Sequence, residues 1–273
     1  LLFYLLIFIL GLGFGSFANV CIYRIPRGES IIEPGSHCPE CGKKIKWYDN
    51  IPLISYVILG GRCRYCRRRI SLQYPLVELV TGFLFILTYQ KFQTAPLTMV
   101  IFLLLVFSLI IISTIDFQTY TIPDKFTCSL IFIGLFSSPF NSFLRDYSKI
   151  IISSSKELSL ILSSFQGLLI GGGILYLIGL LGRGMFKREA MGGGDIKLIS
   201  GVGAFLGAVN VLWVIFLASL LGAITGGALR IAGKYKKFQE IPFGIYISLG
   251  TISVFLFQPG FNRIYLNLIS ICR

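Results

Sequence analysis

Eight apolar runs dominate this chain, at about 1–22, 76–90, 97–115, 126–140, 161–181, 196–208, 209–229 and 241–257, with short basic segments between them. A backbone inside hydrocarbon must satisfy its own hydrogen bonds, so apolar stretches of this kind fold as helices. The sequence therefore predicts an all-α polytopic membrane protein of about eight transmembrane helices, with six or seven as the alternative count. Several runs fall short of the roughly 20 residues that cross a bilayer upright. Of these, 126–140 and 196–208 are the weakest and need their flanking motifs to reach across. Composition agrees: 14% of the 273 residues are charged, against roughly 25% in soluble domains. The 30 glycines suit helices packed closely in lipid. The opening run lacks a basic flank and a small-residue cleavage site, and further spans follow it. It reads as a retained first span.

The net charge of +13 does not point to nucleic acid, because Lys and Arg gather in short loops between apolar runs. Residues 23–75 hold ten of them: Arg24, Arg27, Lys43, Lys44, Lys46, Arg62, Arg64, Arg67, Arg68 and Arg69. Alternation across eight spans puts that region on one side with the 182–194 loop (Arg183, Lys187, Arg188) and the 230–240 loop (Arg230, Lys234, Lys236, Lys237). The opposite loops carry Lys91, then Arg145, Lys149 and Lys156, then Arg263 and Arg273. The excess marks the first side as cytoplasmic. Part of 141–160 is expected to form an amphipathic helix in the outer interface. The expected domains are a first span at 1–22, a cytoplasmic insertion at 23–75 and a membrane bundle at 76–273.

Acids are largely kept out of the apolar runs, yet Asp116 and Asp195 stand at run ends, both on the predicted cytoplasmic face. A carboxylate is costly at the rim of a membrane helix, which makes each a candidate functional residue. Two carboxylates suffice to hydrolyse a peptide when one is ionised and one protonated around a water. Proximity of like charges keeps a proton on one of them. No Ser or Cys is accompanied by a base, since the only histidine is His37 in the cysteine region. Asp124 follows Ile122-Pro123 and reads as a cap for the next helix, so Asp116 is preferred to it as a catalytic residue. Gly192, Gly193 and Gly194 before Asp195 allow close backbone approach or angles forbidden to residues with a Cβ; a plain helix-breaking loop is the alternative. Lys197 either supports a carboxylate or snorkels to lipid phosphate, and the plainer lipid contact is expected.

Cys38-Pro-Glu-Cys41 and Cys63-Arg-Tyr-Cys66 lie 21 residues apart, the spacing of a tetrathiolate zinc site. Such an ion is structural, because four thiolates leave no open position, and it supplies folding energy to a polar segment. Iron, two disulfides or a redox pair are the other readings; cytoplasmic placement weighs against disulfides. His37 is read as a solvated neighbour. Cys21, Cys128 and Cys272 read as buried small hydrophobes.

These motifs together resemble the type IV prepilin peptidases, membrane aspartic proteases with a GxGD signature. The resemblance rests on Gly15-Ser-Phe-Ala-Asn-Val-Cys-Ile-Tyr-Arg-Ile-Pro26, both CxxC pairs, Tyr74-Pro-Leu-Val-Glu-Leu79, Ile115-Asp116 with Ile122-Pro-Asp124, and Gly192-Gly-Gly-Asp195. It implies Asp116 and Asp195 as the catalytic pair, with Gly192, Gly194, Asp124 and Lys197 supporting the site. It implies type IV prepilins or pseudopilins as substrates, cut after a Gly behind a basic leader at the cytoplasmic face of the bacterial inner membrane. It also implies N-methylation of the new amine from S-adenosylmethionine by the region around 15–78, where Asn19, Arg24, Glu33 and Glu78 are polar. Two positions depart from the family pattern: Ala190 stands where a Gly is frequent, and Gln73 where a basic residue is common. A proton-coupled transporter and a pilus-assembly scaffold are the rival readings. The first needs flux without cleavage, and the second needs the cysteine module but neither Asp.

Overall fold

A computed structural model describes residues 1–144, 156–186, 191–233 and 241–271. The basic residues Arg145, Lys149, Lys187, Arg188, Lys234, Lys236, Lys237 and Arg273, together with Ala190, Cys272 and most of the 141–160 segment, lie outside the described residues. Each of the eight apolar runs contains a helix. Among the described residues the helices are, in chain order, α1 (Leu2–Arg24), α2 (Ile54–Ile58), α3 (Gln73–Phe92), α4 (Pro96–Thr119), α5 (Asp124–Phe136), α6 (Lys156–Phe186), α7 (Gly193–Leu206), α8 (Ala208–Ile231) and α9 (Phe243–Ile271). Of these, α2 is a single short turn in the insertion.

Among the described residues, four helical stretches are long and apolar enough to cross a membrane: Leu2–Arg27, Pro96–Thr119, Glu157–Met185 and Ala208–Ile231. For three of the other four helices, α5, α7 and α9, the shortfall has a physical cause. The 13 residues of α5 and 14 of α7 rise only about 20 Å at 1.5 Å per residue, against a core of about 30 Å. Phe257 interrupts α9 with non-helical angles, which shortens its first apolar piece.

The chain divides into two compact units, one of residues 1–94 with 102–115, the other of 95–101 with 116–273. In the first unit, α1 and α3 approach through small residues. A Cβ added at Gly11 would stand 2.8 Å from Gly82 Cα, and one at Gly15 would stand 2.6 Å from Glu78 Cα. Larger residues there would force the helices apart. Aromatic pairs fill the flanks: Tyr4 against Tyr89, Phe14 against Phe85 and Phe107, and Phe92 against Phe102. Asn19 donates from α1 to the Tyr74 carbonyl at 3.0 Å.

In the second unit α7 is the core element, with every residue from Leu198 to Leu206 buried. It meets α6 backbone to backbone, since a Cβ at Gly167 or Gly203 would lie 2.0 or 2.1 Å from the other's carbonyl oxygen. Ser164 donates to the Ala204 carbonyl at 2.7 Å and Asn141 to the Phe205 carbonyl at 2.9 Å, both buried. A helix only four turns long is thus held by its backbone as much as by apolar contact. Gly207, at φ +80°, ends α7 and leads straight into α8.

Candidate active site and metal centre

Asp116 lies in the last turn of α4, and Tyr120 closes that helix in a left-handed conformation with its N–H on the Asp116 carbonyl. The side chain is 4% exposed. Its Oδ2 accepts a hydrogen bond of 2.8 Å from the Gly244 N–H, and the Ile245 N–H also donates to the carboxylate. Gly244 and Ile245 belong to the first turn of α9, whose free N–H groups and dipole favour a carboxylate. Gly244 is a functional position that its own residue type does not announce. The available signal was Pro242-Phe-Gly244, a helix start directly after a basic loop on the same predicted face as both acids.

Asp195 is the third residue of α7, and Gly192 is the cap. The side chain folds back on the cap, where the Gly192 N–H donates to it, as an acid at that position does in a capping box. Gly192 has to be small, because a Cβ there would stand 2.9 Å from Asp195 Oδ2. Gly194 has to be small for a different reason: its Cβ would stand 2.8 Å from Ile122 Cβ. None of Gly192, Gly193 and Gly194 takes a positive φ; Gly192 and Gly194 serve close approach, while a Cβ at Gly193 would meet nothing within 4 Å. Asp195 Oδ1 is buried with no hydrogen-bond partner. Native structures rarely leave such an oxygen unmatched, and a reacting water or a shared proton is a reason to do so.

Ile122 brings the two acids' surroundings together, its Cδ1 lying 3.0 Å from a Cβ built at Gly244 as its Cβ meets the position of Gly194. The carboxylates of Asp116 and Asp195 lie close enough for their charges to interact. Asp124 is separate. Its side chain, 65% exposed, forms an ion pair of 2.8 Å with Lys197. That corrects two expectations: Asp124 makes no side-chain cap for α5, and Lys197 reaches a neighbouring helix instead of lipid. A short α7 brings Lys197 within reach of the first residue of α5, and that carboxylate outcompetes a snorkelling position.

The four Sγ atoms of Cys38, Cys41, Cys63 and Cys66 lie within 4.8 Å of one another, with Cys38 and Cys66 3.9 Å apart. Sulfurs 2.3 Å from one tetrahedral ion stand about 3.8 Å apart, so the donor set fits zinc. Each pair sits on its own small knuckle of the same form. Cys38 and Cys63 receive returning chains through bonds from their N–H groups to the Lys43 and Arg68 carbonyls, and Gly42 and Arg67 turn back onto them. The N–H groups of Cys66 and Tyr65 draw the Cys63 thiol down to about 7, while burial and the neighbouring sulfurs push Cys66 up to about 11. Beside it, Arg64 grips Asp49 with two hydrogen bonds and holds that carboxyl below the usual range. His37 stays outside the sulfur cluster and faces the Gly35 carbonyl. Cys21 is buried as expected, but Cys128 is exposed. A face turned to hydrocarbon gains nothing by hiding a thiol.

A helical membrane protein with the acids Asp116 and Asp195 in one unit and a four-cysteine cluster in the other is a narrow class. The chain belongs to the type IV leader peptidase family, whose description matches residues 103–227, while residues 9–92 match the bacterial peptidase A24 N-terminal domain. It is 35% identical to a prepilin leader peptidase/N-methyltransferase of Myxococcus xanthus, over 95% of this chain and 74% of that protein. Proteins of the same name from Vibrio cholerae and Neisseria gonorrhoeae are 33% and 32% identical, over 92% and 84% of this chain and 96% and 84% of theirs. No solved structure matches the chain.

Proposed function

We propose that this protein is a membrane-embedded aspartic endopeptidase that removes the basic leader of type IV prepilins or pseudopilins, cutting after Gly at the cytoplasmic face of the bacterial inner membrane. The observation that carries the reading is the single site around Ile122, where Asp116 rests on the α9 terminus and Asp195 keeps a buried oxygen free. Asp116 is the base. Its carboxylate is held by N–H donors that favour charge, and it takes a proton from water as the water attacks the scissile carbonyl. Asp195 is the acid, donating from its carboxyl to the carbonyl oxygen. Collapse of the tetrahedral intermediate breaks the C–N bond, and the leaving amine departs with a proton.

The names of the relatives support a second activity, methyl transfer from S-adenosylmethionine to the freed amine, which loses a proton as the N–C bond forms. This belongs to the region around 15–78. Cys38, Cys41, Cys63 and Cys66 would hold one structural zinc, which supplies folding energy to the 23–75 insertion. The eight-span arrangement, the insertion after the first span and the bundle from 76 onward belong to the same reading, with α5 and α7 as the shortest members of the bundle. Membrane lipid is the surrounding partner, and the basic leader stays on the Lys- and Arg-rich side.

The deciding experiment incubates the purified protein in lipid with a prepilin and follows the substrate's mass. Loss of the leader with wild type, and none with Asp116→Asn or Asp195→Asn, is the expected result. Undiminished cleavage by either variant removes that residue from the chemistry.

A further inference from the structure

The insertion of the first unit turns apolar side chains outward. Trp47, Ile54, Val57 and Ile58 are each between 56% and 80% exposed. Ile54, Val57 and Ile58 share one face of α2 by their spacing, and α2 buries its serine, Ser55, instead. The Ser55 Oγ donates to the Tyr48 carbonyl at 2.8 Å and accepts from the Ile51 N–H at 3.0 Å, which ties α2 to the turn that carries Trp47. A helix with its hydroxyl inside and its aliphatic face outside is reversed relative to one made for water. Single exposed apolar residues need no explanation, but four on two joined pieces of chain do.

The position of α2 says what lies against that face. The Leu53 N–H, at the start of α2, donates to Glu78 Oε2 of α3 at 2.9 Å. Glu78 is also hydrogen-bonded to Ser16 of α1. Ser16 lies about 12 Å before α1 ends at Arg24, at 1.5 Å per residue. It falls within Leu2–Arg27, a stretch long and apolar enough to cross a membrane. The start of α2 is therefore level with the apolar part of its own unit and not beyond it.

Charge completes the match. Residues 43–69 hold eight Lys or Arg and one acid, Asp49, which Arg64 already grips. Lys46 and Arg64 lie over the Tyr48 ring, which itself packs against Trp47. Trp and Tyr settle at the boundary of lipid and water, and cations near an anionic surface hold a segment there.

We propose that residues 46–58 form an interfacial anchor, with the anionic phospholipid of the protein's own bilayer as its partner. Trp47 and the outward face of α2 sit about 5–10 Å into the boundary of headgroups and acyl chains. Lys46 and the cations around it hold lipid phosphates. Cys41 and Cys63 flank this stretch in sequence, so the anchor keeps both cysteine knuckles at the membrane surface. It is independent of the peptidase and methyl-transfer readings.

The test reads the depth of the tryptophan. The protein has two tryptophans, so the emission of Trp47 is the difference between wild type and Trp47→Phe. Full-length protein is placed in nanodiscs of phosphatidylcholine and phosphatidylglycerol whose acyl chains carry bromine either near the headgroup or near the methyl end. Trp47 is expected to lose most of its emission to the first bromine position and little to the second, and to resist acrylamide added to the water. Val57→Trp, placed in the Trp47→Phe protein, adds a probe on the face of α2 and should behave alike. Exchanging the phosphatidylglycerol for phosphatidylcholine should weaken the quenching; equal quenching in both lipids overturns the part given to the cations. Emission at either probe that bromine leaves untouched and acrylamide quenches puts the segment in water and overturns the proposal. Resistance to acrylamide without bromine quenching also overturns it, because protein and not lipid then covers the face.

Discussion

The Gly244 N–H donates a 2.8 Å hydrogen bond to Asp116 Oδ2, joining the end of α4 to the start of α9 across 128 residues of sequence. A Cβ at that glycine would stand 2.9 Å from the same oxygen and 3.0 Å from Ile122 Cδ1. The carboxylate can approach the helix terminus only because position 244 has no side chain.

Gly244→Ala therefore displaces Asp116 without removing it. Hydrogen bonds to charged groups contribute about 1.5–3 kcal/mol, so leader cleavage is expected to slow by about 10- to 100-fold. The loss falls in kcat, with KM little changed, because the glycine meets the acid and not the substrate. Steady-state kinetics on a prepilin check this. An equal rise in KM with kcat preserved would place Gly244 in substrate binding instead.

Asp116 and Asp124 make opposite predictions although both are acids near the same helix junction. Asp116→Asn removes cleavage. Asp124→Ala breaks an exposed pair with Lys197, an interaction of a kind contributing about 0–1 kcal/mol, and should leave cleavage close to wild type. Parallel assays of the two variants distinguish them, and inactivity of Asp124→Ala in a folded protein would overturn the choice.

The metal prediction concerns folding. Wild-type protein should carry one zinc per chain by elemental analysis, and Cys38→Ser should lose it. Chelation should then raise amide hydrogen exchange across 36–70, where the knuckles' bonds from Cys38 and Cys63 depend on the sulfurs being gathered. Unchanged protection after complete metal removal would show that the segment folds without an ion.

The helices and the cysteine cluster were legible because hydrophobic runs and CxxC spacing are local signals. The crossing count was less so. Length alone does not say whether a helix of 13 or 14 residues is embedded, and α7 is a buried core element whose neighbours decide its depth. Asp116 and Asp195 stood out as acids at the ends of apolar runs. Gly244 did not, since its role is a backbone donor to a residue far away in sequence. The exact work of Gly192 and Gly194 was hidden for the same reason: each makes room for a specific side chain, Asp195 or Ile122, that only the fold brings near. The partner of Lys197, Asp124, belongs to another helix, so their ion pair leaves no local trace in the sequence.

The two cysteine knuckles are near copies that differ at one informative position. Gly42 follows the first CxxC at φ +68°, and Arg67 follows the second at φ +59°. Their N–H groups make matching bonds, to the Cys38 carbonyl at 2.9 Å and the Cys63 carbonyl at 3.1 Å. Arg67 thus holds a left-handed conformation that costs a residue with a Cβ about 1–2 kcal/mol. Arg67→Gly relieves that strain but adds freedom to the unfolded chain, which offsets part of the gain. The net expectation is a stabilisation of about 0.5–1 kcal/mol, seen as zinc binding tightened about two- to fivefold in a competition titration. Gly42→Arg should do the reverse at the first knuckle. If Arg67→Gly weakens zinc binding instead, the arginine side chain contributes more to the knuckle than its backbone strain removes.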